Sequence, residues 1–522
     1  MALAVAGCGS TAAPRAQDSV LGPGGLVTAP DGTVVTPEGA VVEGGAAAEG
    51  DLGVPAAAAG SSSTSGSTGS GGSSGGGSTG GSSGASTGGS TGGSAGSGGS
   101  TVAGGPHGPG VTATTIKVGI LSYEDPNAGN NAAGITTADV HELDKMYAAL
   151  IDDLNKRGGM AGRKVQLVVH KVDSGSGTFD QIQQGVCEKF ARDDPVFATW
   201  SPLGDNAIAC FERAGITSIG SGHGGYGLKQ YARYPHLITP GAFSQEHQML
   251  NTANGLHAQG WLGGWSHVTG APAEGTPPHV GIVTFDLPDA RNAAENYSKP
   301  AFARAGVKQM QVFYIRPNLQ DGQADAAAAV LKFKSEGVTH VTFLDNTGGI
   351  LATVFAANAN SQGYFPRYGC DSGSCNQIVA EQMPQSSLRG AVLVGWSPLN
   401  DVPASKDHVL PARARCEKIM TDHDMAPYSR NDQNVMANVC DSVWFLEAAL
   451  NAAGPRLTND TAIAGAIRIG RSFTSPATFA VEVTPRKHAG ADAYRYAEWD
   501  PTCGNSGAGC FIYTGPVRRF GS

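Results

Sequence analysis

Few groupings of residues in this chain could make or break a covalent bond, and none is complete. A phosphate-cradling loop needs glycines whose backbone amides approach the phosphates and a lysine to neutralise them. Residues 220–225 read Gly-Ser-Gly-His-Gly-Gly and contain no lysine. No G-x-S-x-G elbow and no H-E-x-x-H pair occurs, so an activated serine and a helix-borne zinc site lack their usual signatures. Asp286 and Asp289 have the spacing of a hydrolytic carboxylate pair, but Pro288 between them favours a surface turn. The chain is therefore expected to be a binder and not an enzyme, with no cofactor and no metal. What remains are residues that grip without reacting: hydroxyls, glycines that expose backbone amides, a histidine and a few carboxylates.

The nine cysteines are the other chemically capable set. The stretch 3–8, Leu-Ala-Val-Ala-Gly-Cys, resembles a bacterial lipobox, in which small residues admit a signal peptidase and the thiol of Cys8 takes a diacylglycerol. Neither a positive n-region nor a full apolar h-region precedes it, so residues 1–8 are expected to be a truncated lipoprotein signal. Setting Cys8 aside leaves an even number, which in an exported chain favours disulfides. Sequence order suggests that neighbours pair: Cys187 with Cys210, Cys370 with Cys375, Cys416 with Cys440, and Cys503 with Cys510. Other connectivities remain open. A zinc site fits neither the spacing nor the absence of nearby histidine pairs.

Charged residues make up 15% of the chain and the formal net charge is −9, which leaves no basic surface for nucleic acid. No apolar run is long enough for a spanning helix, so attachment to a membrane would come from a lipid. Residues 60–105 are almost wholly Gly, Ser and Thr and cannot bury enough apolar surface to offset the entropy of ordering. As a glycine-rich coil this stretch has an r.m.s. span of roughly 35–40 Å. Residues 10–59 are also poor in aromatics, and the whole of 9–114 is read as a disordered tether.

The body begins with strand-like residues 115–121, then a helix on which Val140, Leu143, Tyr147, Leu150, Ile151 and Leu154 recur at helical spacing. Gly158 and Gly159 stop it. Strands are expected at 164–171, 196–199 and 216–220, with helices around Ile182, Val186 and Phe190 and over 205–213. A second series follows: strands 280–285, 311–315 and 340–344, with helices 324–335 and 350–362. Such alternation predicts α/β architecture with parallel, doubly wound sheets. Two series predict two lobes, and a solute would lie between the loops at their strand ends.

Residues 116–121 together with 151–167, which carry the pattern N-x-x-GG-x-x-GRK, resemble the amino-terminal signature of leucine/isoleucine/valine-type binding proteins. These are substrate-binding subunits of ABC importers, with the type I periplasmic-binding-protein fold. The resemblance runs from Thr115 to near the carboxyl terminus and thins after Asp401. It implies a first lobe of 115–239 with about 391–480, a second of 240–390 with about 481–522, and a hinge between them. It also implies roles residue by residue. Ser201, at the end of the third strand, would meet a ligand carboxylate, helped by the helix start at Gly204, Asp205 and Asn206, and Trp200 before it would stack on the ligand. Gly222, His223 and Gly224 would supply backbone and polar contacts, and Tyr123 would stand on the first exit loop. In the second lobe Asp286, Asn346 and Asp371 would face the ligand, Asp371 as the ammonium partner. The family's tyrosines near Asp286 and Asn346 are missing, as is its Ser-Gly-Pro loop after the first strand. A branched-chain amino acid is therefore not assigned. The same resemblance places Cys187 and Cys210 on consecutive helices at a position where many members carry a disulfide.

The expected protein is an extracytoplasmic, lipid-anchored monomer on the outer face of the cell membrane. It would capture a small polar solute (an amino acid, an amide or a related carboxylate) and hand it to an ABC permease. The rival readings are a sensor of the same fold signalling to a partner, and a wall-associated hydrolase.

Overall fold

The computed structural model describes residues 107–125, 140–173, 179–200, 204–220, 225–264, 275–317, 319–345, 349–407, 409–503 and 508–520, with three short strands before them. Those strands, Val20–Gly22, Leu26–Thr28 and Val34–Val35, pair antiparallel inside the segment expected to lack structure, where valines alternate with turn-forming glycines and prolines. The expected lipid site Cys8 lies outside the described residues. The packed body starts earlier than expected. His107 accepts from Leu457 N at 3.2 Å, and Gly108 N donates to Leu457 O at 2.7 Å, fastening residues 107–114 to the base of the first lobe.

The first sheet holds β1 (Thr115–Tyr123), β2 (Lys164–Val172), β3 (Ala198–Thr199), β4 (Thr217–Ile219) and β5 (Leu237–Ile238) in the order β2-β1-β3-β4-β5, all parallel. Between them run α1 (Leu143–Lys156), α2 (Phe179–Glu188), α3 (Asp205–Ala214) and α4 (Leu228–Arg233). Helix α1 buries Met146, Tyr147, Leu150, Ile151 and Leu154 on one face. It ends where Gly158 and Gly159 take φ of 113° and 80°, a backbone region that costs a side-chain-bearing residue dearly.

After β5 the chain crosses to α5 (Gln245–Ala258) and a second sheet. In chain order its elements are β6 (His279–Phe285), α6 (Pro288–Ala293), α7 (Lys299–Arg304), β7 (Gln309–Ile315), α8 (Leu319–Ser335), β8 (His340–Leu344), α9 (Ile350–Ser361), β9 (Arg367–Asp371), α10 (Gln377–Ala380) and β10 (Val392–Gly395). Their strand order, β7-β6-β8-β9-β10, repeats that of the first sheet. The chain returns to the first lobe only after Gly395, where 391 was expected. It passes α11 (Pro398–Asp401) and adds α12 (Pro411–Asp422), α13 (Arg430–Ala453) and α14 (Asn459–Ile469). These helices bury Cys416, Met436, Val443, Phe445 and Leu450 against the face of the first sheet that α1 also covers. Finally β11 (Ala493–Asp500), β12 (Cys510–Tyr513) and β13 (Arg518–Arg519) extend the second sheet antiparallel.

Three crossings thus join the lobes. The first and third are stitched together, since Gly490 N donates to Thr239 O at 2.7 Å and Ala491 N to Ala242 O at 3.0 Å. The disulfides join Cys187 to Cys210, Cys370 to Cys375, Cys416 to Cys440, and Cys503 to Cys510. No helix among the described residues is long and apolar enough to cross a membrane.

The packing of α14 on α13 yields a prediction. A Cβ at Gly465 would lie 2.0 Å from Ala449 O, so the helices touch backbone to backbone there. Gly465→Val should force them apart and cost about 1–3 kcal/mol or more, read as a lowered midpoint in urea. An unchanged midpoint would show that the contact yields freely.

Candidate functional site

In a doubly wound sheet the crevice opens at the carboxyl ends of the strands where the winding reverses. Here that is between β1 and β3 in the first lobe and between β6 and β8 in the second. The first switch point is flanked by Ser122, Tyr123 and Trp200. Ser122 is buried and donates to Asp144 Oδ1 at 3.1 Å. Tyr123 packs against the cluster that contains Leu121, Val172 and Ile182, and burial pushes its phenol up to about 12. Trp200 is buried, stacked on Tyr147 at 5.2 Å between ring centroids, and its carbonyl accepts from Tyr147 Oη at 3.2 Å. It is the floor beneath the strand end. Ser201, Gly222, His223, Gly224 and Asn346 lie outside the described residues.

The helix start expected to face an anion has partners of its own. Ala207 N donates to Gln183 Oε1 at 3.3 Å, and Asp205 Oδ1 accepts from Gln230 Nε2 at 2.6 Å.

The acids of the second lobe separate into distinct environments. Asp286 is an outward-facing turn residue paired with Arg291 at 2.5 Å, whose hydrogen bond, aided by its charge, holds the carboxyl below the ordinary range. Asp345 is buried and its Oδ2 accepts from Leu351 N at 2.7 Å, capping α9. Asp371 is fully buried beside the Cys370–Cys375 bridge. Its carboxylate accepts from Gln248 Nε2 at 3.1 Å, Thr252 Oγ1 at 3.0 Å and Gly373 N at 3.0 Å. Burial raises it all the same. In this arrangement the carboxylate orders the loop of Ser372, Gly373 and Ser374.

Next to it stands an acid that the sequence did not single out. Asp401 accepts from Ser372 Oγ at 2.6 Å, and from Ser397 N and Tyr513 Oη at 3.0 Å each. Burial pushes it up to about 8. The local signal was its place at the end of the short helix α11, which follows β10 and the Gly395-Trp396-Ser397 turn. Another missed acid, Asp441, accepts from Ser475 Oγ at 2.5 Å and is pushed up to about 7 by burial. It faces the first crossing, where a Cβ at Gly241 would lie 3.3 Å from its Oδ2.

The lobes meet at the segment just after residues 221–224. Leu228 N donates to Glu246 Oε2 at 2.8 Å, and Gln245 Nε2 to Gly225 O at 3.0 Å. Asn292 Nδ2 holds the other Glu246 oxygen at 2.9 Å. Among the described residues no group of three or more His, Cys, Asp or Glu could hold a metal ion.

A family model described as periplasmic binding protein matches residues 142–508. Among solved structures, a fatty acid ABC transporter substrate-binding protein from Thermomonospora curvata superposes with a TM-score of 0.54 at 17% identity, over 80% of this chain and 95% of that one. A branched-chain amino acid ABC transporter protein from Thermus thermophilus with bound valine does so with a TM-score of 0.54 at 13% identity, over 78% and 97%. The solute-binding protein of an ABC transporter from Rhodopseudomonas palustris BisB5, in complex with 3,4-dihydroxybenzoic acid, gives 0.54 at 12% identity, also over 78% and 97%. No curated protein sequence matches the chain. With one strand order used twice, three crossings between the sheets and a family match that spans most of the body, this chain belongs to the periplasmic-binding-protein family and has its type I fold.

Proposed function

We propose that this chain is the extracytoplasmic solute-binding lipoprotein of an ABC importer, anchored through Cys8 and delivering a small polar solute to a membrane permease. The observation that carries the reading is that both sheets have the same winding, so each offers a switch-point crevice at its strand ends, and the segment after residues 221–224 already touches the second lobe. Ser201, with Gly222, His223 and Gly224, meets the solute's carboxylate from the first lobe, and Tyr123 stands at the rim. Asn346 and the loop ordered by Asp371 close on it from the second. Valine and 3,4-dihydroxybenzoic acid, the ligands of two structural neighbours, share a carboxylate, which supports a solute of that kind.

The test is thermal unfolding of the full chain against amino acids, amides, short organic acids and hydroxybenzoates. A solute present at about a hundred times its Kd should stabilise by about 2.7 kcal/mol. Ser201→Ala should weaken that solute about tenfold or more, the worth of a hydrogen bond to a charged group. No shift from any compound, or wild-type binding by Ser201→Ala, would count against this site.

A further inference from the structure

At the junction of the lobes, a backbone amide of the first lobe and a side chain of the second share one carboxylate. Glu246, at the start of α5, accepts from Leu228 N at 2.8 Å and from Asn292 Nδ2 at 2.9 Å. It is fully buried. Immediately before its partner Leu228, Gly227 presses on Asp289 of α6, where a Cβ would lie 2.5 Å from Asp289 Cγ. Only a glycine lets these surfaces close. On the first-lobe side Asp205 faces the same junction, held by Gln230 Nε2 at 2.6 Å with Arg233 3.9 Å away.

We propose that Glu246 is a positioning residue that fastens the start of α4 to the second lobe, and that Asp289, with the charge of Asp205 beside it, makes this fastening dependent on proton uptake. The inference rests on the reading of the chain as a hinge-closing binder. The groups facing the junction are Asp205 on α3, Lys229, Tyr231 and Arg233 on α4, Glu246 on α5 and Asp289 on α6. Three are acids, Glu246 buried and Asp289 and Asp205 half-buried, and bringing the lobes together sets them in one another's field. Burial raises Glu246, and the charge of Asp289 adds to the effect. Burial likewise raises Asp289, with Asp205 adding to it and Lys229 opposing.

The direction follows from linkage. Apart, Glu246 and Asp289 are hydrated and titrate in the ordinary range; together, they hold protons more tightly, so closing takes up protons and is favoured as pH falls. Each pKa unit by which closing raises an acid changes the closing equilibrium up to tenfold. Protonated Glu246 still accepts from Leu228 through its carbonyl oxygen, so the bond survives while the charge is removed.

Small-angle scattering of the full, solute-free chain tests this, because the amino-terminal segment is common to every sample. The wild type should be more compact at about pH 5 than at about pH 8, because raised acids keep more of their protons at the lower pH. Asp289→Asn should differ less between the two pH values. Glu246→Gln, which keeps the acceptor, should also show a weaker pH response. Glu246→Ala should be expanded at both, with faster amide exchange at Leu228. A wild type of equal size at both pH values, or an Asp289→Asn protein with the full response, would overturn the proposal. No solute enters this measurement, so its failure leaves the binding reading standing, and a solute screen without hits leaves the pH response intact.

Discussion

Asp407→Ala is expected to cost about 3–5 kcal/mol of stability, the penalty for removing one partner of a buried ion pair. Asp407 Oδ2 accepts from Arg413 Nη2 at 2.8 Å and from Arg430 Nη2 at 2.6 Å, with side-chain exposures of 2% for the aspartate and 1% for Arg413. One carboxylate therefore answers two guanidinium groups. Glu417 is the next acid, 3.8 Å from Arg413 Nε. Even with Asp407 in place, desolvation pulls the Arg413 guanidinium below its ordinary range. Without it, the positive charge is left in a medium that cannot solvate it. Arg430 also donates to Pro398 O and Val402 O at 3.3 Å each, so the loss would loosen the second crossing from the start of α13. Urea unfolding reads the effect. Asp407→Asn, which keeps the shape without the charge, should lose nearly as much, and a loss within experimental scatter for both would mean that the arginines find other partners.

Asp401→Asn should change the shape of the stability curve against pH. In the unfolded chain this carboxyl titrates near 3.8, and in the folded protein burial pushes it up to about 8. The folded state holds the extra proton through that interval, so the stabilisation is complete below the unfolded value and is lost as pH rises through the folded one. Asp441, pushed up to about 7, and Asp371, also raised, act in the same direction. The wild type should thus lose several kcal/mol between mildly acid and alkaline conditions. The Asp401→Asn side chain, neutral throughout, should flatten the curve and leave the variant the more stable protein in alkali. Denaturant midpoints measured across pH decide it, and parallel curves would show that Asp401 ionises without penalty.

Much of the fold was legible because parallel strands buried on both faces read as short apolar runs, and their helices carry one apolar stripe. The stretches 280–285 and 340–344 became β6 and β8 with almost the same ends. The late part was harder for two physical reasons. Helix α13 buries Asn434, Asn438 and Asp441 along with Met436 and Phe445, so polar residues break its apolar period. Strand β11 alternates apolar and polar residues and joins the sheet antiparallel, outside the βα rhythm that marked the rest.

At the site, sequence placed residues at strand ends but could not say how their side chains are used. Asp371 is met by Gln248 and Thr252, separated from it by 123 and 119 residues, and no local pattern encodes such a meeting. Asp286 looked like a ligand group by position, yet Arg291, on the next helix, takes it. Trp200 was expected in the ligand set, and its stacking on Tyr147 depends on how α1 packs on the first sheet, which only the packed core fixes.

The central claim is that one solute is held from both lobes at once. Amide hydrogen exchange on the full chain, with and without the most stabilising solute of the thermal screen, tests it most directly. Protection should appear together in residues 200–206 and 220–228 of the first lobe and in 345–351 and 371–374 of the second. Protection confined to one lobe, or none at either set of strand ends, would contradict it.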